Sequence, residues 1–285
     1  MNREFHLTAA CLKIIAIVTM LIDHLTAVLY PYIYLLVTGT ALTDPYSSPI
    51  YTLGRTIGRI SYPLFAFMIA EGAYYTRDRK KYAMRVLLLA LISIPFHNLA
   101  RNGSFLGFEE LNTVFGLFAG LSAIILIDKI RAGKEKTSFP ETAAILAVLI
   151  ILSVLCTVCR VEYYACSVLL ITAFYYARKE DGVIARSIPN QKIRQAVMGI
   201  PAFLFGALQY LLCYFIYAYP VFSLTRCFSL ACSTMKHEVW GLFAFVLIWF
   251  YNGKKGSKLP KYLFYAFYPV HLFIIGLIAL YLGSL

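Results

Sequence analysis

Charge is what this chain has least of. Only 14% of its 285 residues are Asp, Glu, Lys or Arg, against about 25% in a typical soluble domain. Acids are scarcer still, 14 in all. A water-soluble globule is excluded on that ground. Disorder is excluded as well, because it needs low hydrophobicity and few aromatics, whereas 60% of the chain is apolar and it holds 22 Tyr and 21 Phe. Several chemical signatures are missing. There is no Gly-rich phosphate loop, no Gly-x-Ser-x-Gly elbow and no His-Glu-x-x-His pair, which removes the enzymes built on them. No fixed-period repeat is visible, and no matched pair of Gly/Pro-interrupted helices marks an inverted-repeat transporter.

What is present is a series of apolar runs. A membrane-spanning helix needs about 20 mostly apolar residues, and nine segments approach that length: 10–31, 60–76, 84–100, 112–129, 142–158, 162–178, 197–218, 238–252 and 263–283. The expected fold class is all-α, a polytopic membrane bundle of about nine transmembrane helices forming a single domain over 1–285. The stretch 32–59, rich in Pro, Thr, Ser and Gly, reads as a long loop, partly re-entrant at most. The first run is not a cleavable signal peptide, since it carries Lys13, Asp23 and His24 and no cleavage site follows it. With the N-terminus inside and the C-terminus outside, 20 of the 26 Lys and Arg fall on the inner side and 6 on the outer. That split follows the positive-inside bias and implies a multi-pass protein of the cytoplasmic membrane. The net charge of +12 therefore belongs to inner loops, and no nucleic-acid partner is expected.

Ionisable groups within the bilayer cost at least about 2.5–3.5 kcal/mol each on insertion scales, so they mark where function lies. Lys13 and His24 are eleven positions apart, about three helical turns, and share one face at roughly 16 Å of axial separation. A cation at the membrane edge can hold a phosphate; a buried imidazole can act as base or as acyl carrier. The alternatives are a snorkelling lysine and a histidine that glues helices together. Asp23 points about 100° away from its neighbour His24 and does not orient that ring. Arg55 and Arg59, at i and i+4, are placed to face one site, with Arg59 suited to an oxyanion. Glu71, inside the second run, needs a buried cation, for which Arg85 and Lys13 are candidates. Asn112 reads as a helix cap. His271 follows Pro269, which cannot donate to the carbonyl of Tyr265, so His271 either repairs that gap or takes part in catalysis. His237 and Glu238 open the eighth run at the interface. Cys156, Cys159, Cys227 and Cys232 read as packing residues first, disulfides second and a zinc site last; no metal is expected.

Taken together, Lys13-Ile14-Ile15-Ala16 through Leu21-Ile22-Asp23-His24, Arg59-Ile60-Ser61-Tyr62-Pro63-Leu64-Phe65 with Glu71-Gly72, and Leu111-Asn112-Thr113-Val114-Phe115 resemble the TraX family. So do Tyr251-Asn252-Gly253-Lys254-Lys255-Gly256 and Tyr265-Ala266-Phe267-Tyr268-Pro269-Val270-His271-Leu272. Glu162-Tyr163-Tyr164-Ala165 departs from the Asp-Tyr-Gly pattern of that position. The resemblance implies kinship with transmembrane acyltransferases that carry an Arg/Lys-x10-His pattern in the first helix, which Lys13 and His24 fit. It implies His24 as the catalytic group and acetyl-CoA approaching from the cytoplasm. The acceptor is then an extracytoplasmic saccharide or protein, such as an envelope glycan or the N-terminus of pilin. The expected function is thus transmembrane acetyl transfer. His24 and Arg59 would be catalytic and Lys13, with loop cations, would bind the donor. Asp23, Arg55, Glu71, Asn112 and His271 would play supporting roles. The competing reading is a proton-coupled small-molecule transporter using Glu71, His24 and His271; an inactive appendage-assembly factor is the third.

Overall fold

The structure, a computed structural model, describes residues 6–107, 110–133, 138–180, 183–218, 238–257 and 260–284. Among them all extended regular structure is helical, and two isolated bridges, Leu7 to Tyr251 and Leu111 to Val161, are the β-type pairings. In chain order the helices are α1 (Ala9–His24), α2 (Tyr30–Thr38), α3 (Pro49–Gly58), α4 (Ser61–Tyr75), α5 (Arg79–Asn102) and α6 (Thr113–Arg131). They continue with α7 (Phe139–Val158), α8 (Tyr164–Arg178), α9 (Val183–Ser187), α10 (Gln191–Ala218), α11 (Phe243–Trp249) and α12 (Lys261–Gly283). Each apolar run of the sequence is helical in its described part. Among the described residues, five helical runs are long and apolar enough to cross a bilayer: Ala9–Thr38, Arg79–Asn102, Thr113–Arg131, Phe139–Val158 and Tyr262–Gly283. This is a membrane protein. α4 and α8 have 15 residues each, about 22 Å of helix, short of a hydrocarbon core of about 30 Å.

Helix starts follow local chemistry. The Thr8 hydroxyl accepts from the Cys11 amide at α1, and Asn112 accepts from Val114 at α6. Ser138 and Glu141 form a capping box at α7, satisfying amides that a helix start otherwise strands. Ahead of α5, the Lys81 amide donates to Asp78, and this bond holds the Asp78 carboxyl below its ordinary range.

The expected loop over 32–59 is corrected. The first helix continues through a π-helical turn, Leu25–Leu29, into α2, and α3 fills 49–58. Pro31 explains the π turn: it has no amide to give Ala27, and its ring crowds that carbonyl, so the register widens one turn upstream. α3 is held by Gly54 and Gly58. A Cβ on Gly54 would meet the Thr26 hydroxyl at 2.1 Å, and one on Gly58 would meet the Asp23 carboxylate at 2.0 Å. The Gly-x-x-x-Gly spacing lets the two backbones close, as between helices in lipid.

The chain divides into two compact units. The first comprises 1–65, 91–108 and 236–285; the second, 66–90 and 109–235. In the first, α1 and α12 run in the same direction. Lys13 lies over the Phe264 ring, His24 meets His271, Leu29 packs with Ile275 and Ala279, and Tyr32 lies against Gly283. In the second unit α8 is central. Gly116 and Gly120 of α6 sit against Ser167 and Ile171, and Gly206 of α10 against Cys166. The turn before α8 holds Arg160, Tyr163 and Tyr164 at positive φ, a conformation glycine adopts at no Cβ cost. Leu111 pins it with two backbone bonds, from its amide to the Arg160 carbonyl and from the Glu162 amide to its own carbonyl.

Candidate functional site

Two imidazoles of the first unit, His24 half-buried and His271 buried, form one hydrogen-bonded pair. His24 Nδ1 lies 2.7 Å from His271 Nε2, with the rings nearly coplanar in orientation, 6° apart, and centroids at 5.0 Å. On its other side His271 Nδ1 lies 2.7 Å from the Phe267 carbonyl oxygen. A carbonyl only accepts, so His271 Nδ1 carries a proton and, in the neutral ring, Nε2 is the acceptor. His24 Nδ1 must then donate to it, which puts the lone pair of a neutral His24 on Nε2. One backbone carbonyl thus sets the tautomer of both rings. Phe267 stacks on His271 at 4.6 Å and Tyr268 meets it edge-on, so the ring cannot swing away. His24 is also the last α-helical residue before the π turn, a distortion frequent at functional sites.

His271 does not repair the gap left by Pro269. Its side chain bonds the carbonyl of Phe267, four residues back, rather than that of Tyr265.

The same unit holds two largely buried ion pairs. Arg55 Nη1 donates to Asp23 at 2.7 Å, and Arg59 Nε faces Glu238 at 3.1 Å. Asp23 therefore serves α3 and not the imidazole next to it, as its angle around α1 required. Arg55 and Arg59 each take a separate acid instead of converging unpaired on one site, because two desolvated guanidiniums need two counter-charges. Sequence reasoning had Glu238 at the interface and missed it as the partner of Arg59. Only proximity between the end of α3 and the 3-10 turn Val239–Leu242, which Glu238 opens ahead of α11, reveals it.

Lys13 lies half-buried on α1, 5.0 Å above the Phe264 ring of α12. Its position on the His24 face follows from the continuous helix between them.

Glu71 and Asn112 belong to the second unit. Glu71 meets Arg178 at 3.1 Å, not Arg85 or Lys13; α4 and α8 pack so that Tyr74 and Tyr75 cover the same guanidinium. Asn112 caps α6 and donates to the Ala90 carbonyl, a structural task. Also in this unit Asp128 receives Arg79, Lys179, Tyr175 and Tyr176 at 2.6 to 3.0 Å. That knot, too, was not anticipated. Cys156 is buried among Ala119, Ala123, Val161 and Val168; Cys159 is exposed, and the two are not joined in a disulfide. His237, Cys227 and Cys232 lie outside the described residues.

Comparison with known proteins gives two matches. A family model described as "TraX protein" covers residues 8–279. A curated protein of Dichelobacter nodosus, "Probable fimbrial assembly protein FimC, serogroup H1", is 27% identical over 283 residues, 95% of this chain and 96% of its own length. No solved structure matches.

Proposed function

Because the chain belongs to the TraX family, we propose that it is an acetyltransferase of the cytoplasmic membrane. It takes the acetyl group of cytoplasmic acetyl-CoA and delivers it to an acceptor on the far side. The acceptor is a hydroxyl or amine of an envelope glycan or surface protein. The name of the D. nodosus relative favours a fimbrial subunit, whose N-terminal amine is such a group. The chain works as one domain over 1–285, crossing nine times with its N-terminus inside. The 20 to 6 division of basic residues supports that orientation.

The observation that carries the reading is the imidazole pair. His24 Nε2, holding the lone pair, removes a proton from the acceptor hydroxyl or amine. The acceptor atom attacks the thioester carbonyl, and the new bond to carbon forms as the carbon–sulfur bond breaks. The thiolate of coenzyme A leaves with the proton that His24 took, so charge balances. His271 accepts from His24 Nδ1 and stabilises the imidazolium formed midway, as a carboxylate does in a serine triad. Arg59 serves the transient oxyanion. Lys13, about 16 Å along the same helix face, serves the donor phosphates; an extended pantetheine arm is of that length.

The test is acetyl transfer by the full chain in lipid nanodiscs, with envelope fractions examined by mass spectrometry for one added acetyl group. His24→Ala is expected to abolish it; full acetylation by that variant would refute the mechanism. The transporter reading requires Glu71 to exchange protons, and its ion pair with Arg178 speaks against that. Acceptor flux without acetyl consumption would reinstate it.

A further inference from the structure

Residues 250–256 are strapped to the start of α1. The Leu7 amide donates to the Phe250 carbonyl at 2.9 Å, and the Asn252 amide returns to Leu7 at 3.0 Å. The Ala9 and Ala10 amides donate to the carbonyls of Lys254 and Lys255 at 2.9 and 3.1 Å. Asn252 Oδ1 accepts from the Lys254 amide at 3.0 Å. Gly253 and Gly256 turn the ends of the loop at φ of 73° and 77°, and a Cβ on Gly256 would strike the Thr8 hydroxyl at 2.3 Å. The backbone of Lys254–Lys255 is thus fixed against the first turn of α1, one turn from Lys13, and the charges of Lys13 and Lys255 act on each other.

This arrangement is electrostatically unfavourable by itself. Cations near a helix N-terminus oppose its dipole, and the first turns of α1 and α12 contain no acid. Among the described residues, none of these three lysines has a carboxylate partner, although elsewhere in the chain Asp23, Glu71, Asp128 and Glu238 are each matched to a cation. A rigid loop that holds like charges together without a counter-charge is stabilised by an external anion. Lys254 and Lys255 are exposed and Lys13 half-buried, so the anion sits at the mouth of the α1–α12 pair and not inside it.

We infer that Lys13, Lys254 and Lys255 form a phosphate-binding site, in which the Gly253–Gly256 loop presents two ammonium groups to a ligand anchored by the third. The ligand is a phosphate ester, from either of two sources: the nucleotide end of a coenzyme A thioester, or the headgroup of an acidic phospholipid. The first source rests on the acetyl-transfer reading; the site itself does not.

The test uses the full chain in nanodiscs of phosphatidylcholine, with coenzyme A as probe and binding read by calorimetry and thermal shift. Wild type binds, and the double variant Lys254→Gln, Lys255→Gln binds about tenfold more weakly, equivalent to about 1.4 kcal/mol. Lys254→Arg with Lys255→Arg retains binding, and Lys80→Gln, a charge lost from an exposed site on α5, leaves it unchanged. A second arm adds phosphatidylglycerol to the nanodiscs. Stabilisation of wild type over the double glutamine variant by that lipid, with no response to coenzyme A, assigns the site to a headgroup. If neither probe separates wild type from a double variant whose melting temperature in phosphatidylcholine is unchanged, the inference is overturned. Binding and turnover fail separately: a chain that binds coenzyme A but transfers nothing refutes the enzyme and leaves the site. A chain whose double variant transfers acetyl groups with undiminished donor affinity and keeps the wild-type response to phosphatidylglycerol refutes the site and leaves the enzyme.

Discussion

His24 and His271, 247 positions apart in the chain, share one hydrogen bond of 2.7 Å between Nδ1 and Nε2, and the carbonyl of Phe267 orients both through His271 Nδ1. The consequence is directional. A neutral pair ordered this way offers its lone pair at one end only, on His24 Nε2.

His271→Leu removes the acceptor for His24 Nδ1–H and is expected to lower the acetyl-transfer rate constant about 100-fold, within the range for general-base contributions. His271→Gln restores an acceptor oxygen near the Nε2 position and should recover part of the rate. It should also alter the pH profile of kcat, because an amide cannot share a proton. Rates from His271→Gln and His271→Leu that are equal and near wild type would remove His271 from the mechanism.

The Asp23–Arg55 pair is buried, so losing one partner strands a charge. Asp23→Asn and Arg55→Gln should each destabilise the fold by about 3–5 kcal/mol. The double variant should cost less than the sum of the two, with a coupling of about 1 kcal/mol or more. Unfolding of the detergent-solubilised chain measures all three; strict additivity would mean that the pair carries no coupling energy.

Gly58→Ala places a methyl group on the Asp23 carboxylate. Overpacking of this kind costs about 1–3 kcal/mol, and the shift of α3 needed to relieve it pulls Arg55 off Asp23. A lowered melting temperature is expected, with a comparable loss for Gly54→Ala at Thr26. Gly39→Ala is the contrasting variant, open around its Cβ, with only the cost of its left-handed backbone.

Cys159 is exposed and Cys156 buried. In single-cysteine variants a maleimide should label Cys159 in the folded protein and Cys156 only after denaturation. A membrane-impermeant maleimide applied to intact cells should reach Cys159 from outside if the proposed orientation holds. Labelling only after the membrane is opened would invert that orientation.

How much was legible beforehand differs by kind of residue. Apolar runs announce helices because burying backbone polar groups in lipid leaves no other economical form, and every run proved helical where described. Lys13 and His24 could be placed on one face because helical periodicity is local. Asn112 was readable as a cap, since capping needs only the next two or three residues. The segment 49–58 was misread. Its composition resembles a loop, and its helicity depends on Gly54 and Gly58 meeting Thr26 and Asp23, though the Gly-x-x-x-Gly spacing was a usable signal.

Partnerships were another matter. Arg59 with Glu238, Glu71 with Arg178 and His24 with His271 each join residues more than 100 positions apart. Any acid in an apolar chain needs some cation, but composition names no particular one. The sequence alone determined that this chain lives in a bilayer, folds as helices and sets a histidine three turns from a lysine on one helix face, because hydrophobicity and helical period act over a few turns. Tertiary structure alone decided which proton that histidine holds, since the tautomer depends on a ring and a carbonyl delivered by the far end of the chain.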